Sequence, residues 1–307
     1  MEGQAKGETP LASQPAPAGG WWADLRLLLV LLAVAAALRG WHLWHTEVAA
    51  RDSISYIRYA WQLRHFPRTD TLKDFEQPPG YTVAILAASV PVRQFSRLPD
   101  AVAMQLSAQL VSALAGLLLV VPMFYLGKEV FGRGVGFGAA LLFQCLPASG
   151  RILTDALSEP TFLLLCATAL WLAARALRTG SPLGFAAAGL FGALAYLTRP
   201  EGAFVVLATG LVLVGTQLAG PWRRPWRRAA ACGLALAGAA LAVGGPYAAV
   251  IGGFTNKQSV GQVIEGTSPG ENERPTDAEV RPAGGPLFAS TLGLFWPGPV
   301  EDRAGRV

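Results

Sequence analysis

The run GYTVAILAASVPV, Gly80–Val92, follows the twin prolines Pro78 and Pro79 and precedes Arg93 and Arg97. At about 13 residues it has the length of a re-entrant or interfacial segment, whereas a span needs about 20. Whether it crosses a bilayer decides the side on which every later loop falls. On either side of it lie about seven longer or comparable apolar stretches that read as spans. They are Asp24–Trp44, Ala101–Leu126, Val135–Pro147, Pro160–Leu177, Leu183–Leu197, Gly202–Ala219 and Ala229–Ile251, with Val135–Pro147 the short one.

Charge settles the ambiguous run. With the amino terminus inside and Gly80–Val92 not crossing, the inner loops hold Lys128 and Arg133, Arg175 and Arg178, and the cluster Arg223, Arg224, Arg227 and Arg228. The outer loops then hold Asp52, Asp155, Glu159 and Glu201. Every short loop obeys the positive-inside rule in this arrangement. If Gly80–Val92 crossed, all three basic loops would move outside. The run is therefore expected to lie at the outer interface.

Composition agrees with a membrane class. Of 307 residues, 52% are hydrophobic and only 15% charged, too little charge to cover a soluble surface of this size. The net charge of +5 does not point to nucleic acid, because much of the basic excess sits in short loops that orient spans. Cys145, Cys166 and Cys232 all fall in apolar segments and offer neither a disulfide framework nor a metal site. Residues 1–22 read as a disordered cytoplasmic tail, 23–251 as the transmembrane domain with a first outer loop at about 46–100, and 252–307 as a polar outer tail. The first span lacks a cleavage site after it and is read as retained. The fold class is all-α, a polytopic transmembrane helix bundle with an interfacial, helical first outer loop.

The outer face collects the chemistry. In RDSISYIRYAWQLRHFP, Asp52, Tyr56 and Tyr59 recur at helical spacing and share a face, while Ile54, Ile57, Ala60 and Trp61 are free to rest on lipid. Asp52 suits a general base near a low-dielectric boundary; equally, it suits a helix cap. In PASGRILTDALSEP, Arg151, Asp155 and Glu159 follow at intervals of four. Either Arg151 pairs with Asp155 while Ser158 or Glu159 caps the next span, or the two carboxylates enter a cavity with Asp52. In LTRPEG, Arg199 suits a lipid-linked phosphate, or else a pair with Glu201. Phosphate loops, HExxH and GxSxG are absent from the sequence, and His42, His45 and His65 lack metal-ligand spacing. No organic cofactor is called for; a divalent metal is left open.

The order of these features resembles the C-type polytopic glycosyltransferases, and more narrowly glycosyltransferase family 39 with its protein mannosyltransferases. The resemblance rests on Asp52 with Tyr56, then Gln77-Pro78-Pro79, then LGKEVFGR at Leu126–Arg133, then Arg151 to Asp155, then Leu197-Thr198-Arg199. Two positions depart from the family pattern. Ser53 stands where many members carry a second acid, and Gln77 where His is usual.

The resemblance implies a glycosyltransferase with a polyprenyl-phosphate sugar donor and a lipid, glycan or protein acceptor, working by inversion on the outer face of a bacterial cytoplasmic membrane. It implies Asp52 as base, Asp155 as a second acidic site residue and Arg199 as a phosphate contact. Tyr56, Gln77, Arg151, Glu159 and Glu201 are the further binding candidates. Competing expectations are a transporter or flippase for a lipid-linked substrate, and an inactive, shortened member of the family. A transporter is disfavoured because charge within the spans is nearly confined to Arg39 and no internal repeat is evident.

Reporter fusions test the sidedness. Alkaline phosphatase fused after Arg97 should be active, whereas a cytoplasm-dependent fluorescent reporter should light up after Gly134 and Arg228. A periplasmic signal after Arg228 would overturn the orientation.

Overall fold

A computed structural model describes residues 20–45, 51–96, 98–219 and 225–256. Expectations about residues 1–19, Arg97, Arg223, Arg224 and the tail from 257 lie outside the described residues. The helices are α1 (Trp21–His45), α2 (Arg51–His65), α3 (Arg68–Asp74), α4 (Gly80–Phe95), α5 (Asp100–Leu118), α6 (Val120–Phe131) and α7 (Arg133–Cys145). They continue with α8 (Pro147–Ile152), α9 (Glu159–Thr179), α10 (Pro182–Thr198), α11 (Ala203–Leu218) and α12 (Trp226–Ile251). A 3-10 turn, Pro200–Gly202, joins α10 to α11, and no strand occurs among the described residues.

The chain is a multi-pass membrane protein. Among the described residues, 5 helices are long and apolar enough to cross: α1, the 32-residue unit Asp100–Phe131 formed by α5 and α6, α9, α11 with its leading turn, and α12. The expected count of about seven is not confirmed. α10 is apolar but shorter, within the 10–17 residue class, and α7 has only 13 residues, a rise of about 20 Å against a hydrocarbon core of about 30 Å. Backbone punctuation limits α7 at both ends. Gly132 precedes it with φ 99, and Leu146 leaves it in extended conformation before Pro147 opens α8.

Charges separate to the two ends of the bundle. At one end Asp24 of α1 pairs with Lys128 and, at 2.7 Å, with Arg133. There too Arg178 meets Glu129 at 3.3 Å, and Arg228 Nε donates to the Gly180 carbonyl at 3.0 Å. At the other end lie the start of α2, the start of α9 and the end of α10. The 21 residues of α9 separate the two ends by about 30 Å.

α4 takes its position from close backbone contact. A Cβ on Gly80 would stand 2.5 Å from the Leu197 carbonyl oxygen, so only glycine lets the helix start against the end of α10. α4 then runs antiparallel to the first turns of α5. The Tyr81 hydroxyl donates to the Ala108 carbonyl at 3.0 Å, and Arg93 reaches Asp100 at 3.1 Å. Ser112 lies level with Tyr81, their hydroxyls 2.8 Å apart. From Ser112 to Phe131 the continuous α5–α6 unit rises about 28 Å, nearly a full hydrocarbon thickness. α4 lies beside the first turns of α5, on the Asp100 side of that level.

Small residues bring the spans together, as they do where lipid removes the hydrophobic drive between helices. α10 packs on α12 with Gly189 against the Leu236 carbonyl, and Gly127 of α6 faces the Gly136 Cα of α7. The charge within a span is bonded internally through both terminal nitrogens of the guanidinium, while its Nε has no hydrogen-bond partner. Arg39 is buried and donates to Gln144 Oε1 at 2.7 Å and to the Ser149 and Gly150 carbonyls, while Gln144 donates to the Gly116 carbonyl at 3.2 Å.

Gly189→Ala should lower stability by about 1–3 kcal/mol, because its Cβ collides with backbone. Gly238→Ala, where a Cβ meets nothing within 4 Å, should be neutral or stabilising by up to about 1 kcal/mol. Thermal unfolding in detergent compares the two.

Candidate functional site

α2 is the element that builds the site. Asp52 lies in its first turn and is exposed, whereas Ser53, Tyr56, Tyr59, Ala60 and Leu63 are buried. Ile54 and Trp61 remain 67% and 41% exposed, in keeping with a lipid-facing strip. Ala60, grouped with them by spacing, is instead fully buried against Tyr81 and Ile85, and Ile57 packs on the same cluster. The packing of α4 along α2 covers this second strip.

Two hydrogen bonds tie α2 to the segment that leads into α9. Ser53 Oγ donates to Asp155 Oδ1 at 3.2 Å, and the Tyr56 hydroxyl donates to Ser158 Oγ at 2.8 Å. The same segment is held from α5, where Ser112 Oγ donates to the Leu157 carbonyl at 3.0 Å. The expected local arrangement is therefore replaced. Asp155 accepts from Ser53 and from the Ala156 N–H, not from Arg151. Ser158 occupies the N-cap position of α9 without a capping bond, since it is engaged by Tyr56. Glu159 turns to Arg199, with Nη1 to Oε1 at 2.5 Å, and Arg199 Nε lies 3.5 Å from Glu201 Oε2.

These contacts set the electrostatics. Burial works against the Arg199 cation, but Glu159 and Glu201 outweigh it and raise its pKa above the ordinary arginine value. The Phe162 ring adds a cation–π contact at 5.8 Å. Burial pushes the Tyr56 hydroxyl above its usual range despite the Ser158 bond, so it stays a neutral donor at physiological pH.

A cavity of about 250 Å³ opens among Asp52, Tyr56, Gln77, Glu159, Arg199 and Glu201. Glu76 and Thr198 also line it. A second cavity, about 370 Å³, shares Asp52 and Gln77 as walls and adds Ser55, Arg58 and Phe75. Gln77 Oε1 and Glu159 Oε2 are buried without hydrogen-bond partners. The loop bearing Glu76 and Gln77 is held by Asn256, whose Nδ2 lies 3.3 Å from the carbonyls of Leu72, Lys73 and Phe75, and by Phe75 stacked on Tyr59 at 4.1 Å.

Six of the eight candidates thus meet at one cavity, and two stand apart. Asp155 sits behind Ser53, one residue from Asp52, where it positions α2 and does not line the cavity. Arg151 is exposed on α8, outside both cavities. Glu76 and Arg58 were missed. Glu76 was legible in principle, since it immediately precedes Gln77-Pro78-Pro79. Among the described residues, no three His, Cys, Asp or Glu side chains form a cluster suited to a metal ion.

Comparison with known proteins places these features. Residues 101–243 match the family described as dolichyl-phosphate-mannose-protein mannosyltransferase. No curated protein sequence matches the chain. Among solved structures, the apo crystal structure of the Archaeoglobus fulgidus oligosaccharyltransferase superposes with a TM-score of 0.60 at 15% identity, over 89% of this chain and 37% of that one. The archaeal oligosaccharyltransferase AglB from Archaeoglobus fulgidus, in complex with an inhibitory peptide and a dolichol-phosphate, gives 0.50 at 15% identity, over 80% of this chain and 34% of that one. The chain shares their fold and spans about a third of their length. Both comparisons fall within the C-type polytopic glycosyltransferases, the class its motifs resemble.

Tyr56→Phe and Ser158→Ala should each destabilise the protein by about 1–2 kcal/mol, by leaving a buried hydroxyl unpaired or losing its bond. The double variant should cost little more than the worse single one. Strict additivity in thermal unfolding would show that the pair carries no coupling.

Proposed function

We propose, on the premise of this fold and of the mannosyltransferase-family match over residues 101–243, that the protein is a membrane glycosyltransferase with a lipid-linked sugar donor. One observation carries the proposal. Asp52, on α2, and Arg199, in the link after α10, face one cavity, and Asp52 is also a wall of the next. A base and a phosphate contact are thereby arranged around a space fit for a reacting centre, with a second space for the group that attacks.

Each residue has a task in this reading. The donor is a polyprenyl-phosphate sugar, whose isoprenoid keeps it in the bilayer and its phosphate near the interface. A dolichol-phosphate bound to one structural neighbour belongs to that chemical class. The phosphate contacts Arg199 and replaces Glu201, the longer of its two ion-pair partners at 3.5 Å. Glu76, Glu159, Glu201 and Gln77 offer acceptor oxygens to sugar hydroxyls, two of them from atoms that have no partner. The excess of carboxylates over the single guanidinium favours a polyol with many donors.

The acceptor enters beside Ser55 and Arg58. Asp52 takes its proton as the acceptor oxygen or nitrogen attacks the anomeric carbon. The bond from that carbon to the phosphate oxygen breaks, and its electron pair leaves with the polyprenyl phosphate, stabilised by Arg199. A single displacement inverts the anomeric centre. The acceptor class is a lipid, glycan or protein. The site faces outward from a bacterial cytoplasmic membrane, with the amino terminus inside.

Membranes containing the protein and radiolabelled polyprenyl-phosphate sugars test this reading. Asp52→Asn should lower transfer by roughly 100-fold or more, the usual worth of a positioned base. Equal transfer by wild type and variant would end the assignment of Asp52, and absence of transfer by wild type over a panel of donors would end the activity.

A further inference from the structure

A groove of about 700 Å³ lies away from this site, between the end of α2, the start of α3 and the outward side of α4. Arg64, at its edge, is twelve residues beyond Asp52, about 18 Å along the α2 axis. Three guanidinium groups line it, from Arg64, Arg68 and Arg93, one on each helix, and the lining contains no carboxylate. Its apolar part includes Leu63, Phe66 and Val90. Phe66 and Val90 are 54% and 57% exposed, although both are apolar.

Arg93 shows that the groove lacks a component. Its Nη1 reaches Asp100 at 3.1 Å, but its Nε and Nη2 are buried with no hydrogen-bond partner. A buried guanidinium N–H left unpaired costs more than an ordinary lost hydrogen bond, so the geometry calls for an acceptor beside it. Three cations from three elements, against the single carboxylate of Asp100 on Arg93, match a phosphate oxygen cluster, which arginine contacts through paired N–H groups. The apolar strip calls for hydrocarbon on the same ligand. A soluble anion supplies the first requirement and not the second. Arg93 lies level with Asp100, the first residue of the 32-residue unit Asp100–Phe131, and so at one end of a helix long and apolar enough to cross a bilayer.

We propose that this groove binds an anionic phospholipid of the surrounding bilayer, its phosphate among Arg64, Arg68 and Arg93 and an acyl chain along Leu63, Phe66 and Val90. Such a lipid braces α2 against α4, and therefore steadies the helix that carries Asp52. The proposal rests on the membrane placement of the fold and is independent of the transferase reading.

The full chain, purified in detergent, is titrated with phosphatidylglycerol or phosphatidylcholine micelles while thermal unfolding is followed. Phosphatidylglycerol should raise Tm by roughly 4 °C or more at saturating lipid, and phosphatidylcholine should not. Arg64→Gln with Arg68→Gln, both at exposed positions, should abolish the rise and leave Tm in phosphatidylcholine unchanged. Arg93→Gln should do the same for the rise. Equal shifts with both lipids, or a full shift retained in the double variant, would overturn the proposal. So would an equal shift from inorganic phosphate alone, which would make the groove a site for free anions.

Discussion

The hold of α2 on the segment before α9 is the constraint from which the site follows. Ser53 to Asp155 and Tyr56 to Ser158 are bonds between residues about a hundred positions apart in the chain, made where burial removes competing water. They fix the axial position and rotation of α2, and so the direction of Asp52. They also set the start of α9, and with it the carboxyl of Glu159 that meets Arg199. Release of either bond would free an amphipathic helix whose other contacts are largely apolar and hence tolerant of sliding.

Around this tie the bundle divides its polar groups by function. At one end, Asp24, Lys128, Arg133, Glu129 and Arg178 close on one another and satisfy helix ends. At the other, one guanidinium is surrounded by carboxylates from α2, the Gln77 loop, α9 and the turn after α10, with acceptor atoms left open. The first pattern is what a stable helical hairpin needs. The second is expensive near a membrane unless a ligand completes it, which is why it reads as a site. Arg39 shows the contrast within one chain: a buried cation whose carbonyl and amide partners make it structural.

The groove beside Arg93 extends the same logic to the lipid-facing side. α2 lines the site cavities with Asp52 and Tyr56 and the groove with Leu63 and Arg64. Bilayer composition would then act on the position of Asp52 through α2 without any contact between the lipid and the reacting atoms.

How much of this the sequence determined follows from the range of each interaction. Long apolar blocks and the sign of short loops are local properties, and from them the membrane class and the gathering of Asp52, Glu159, Arg199 and Glu201 at one end of the bundle could be read. The shortness of Val135–Pro147 was also legible, since α7 has 13 residues, bounded by Gly132 before it and by Leu146 and Pro147 after it. The spacing of Arg151 and Asp155 suggested a local pair. Tertiary structure decided otherwise, since Ser53 brought a partner from another helix and left Arg151 outside. Glu76 enters the cavity because Asn256 and Tyr59 hold the loop between α3 and α4 in place, and Arg58, on α2, faces that loop across the second cavity. Periodicity reports which face a residue occupies; only the packed bundle reports what stands opposite it.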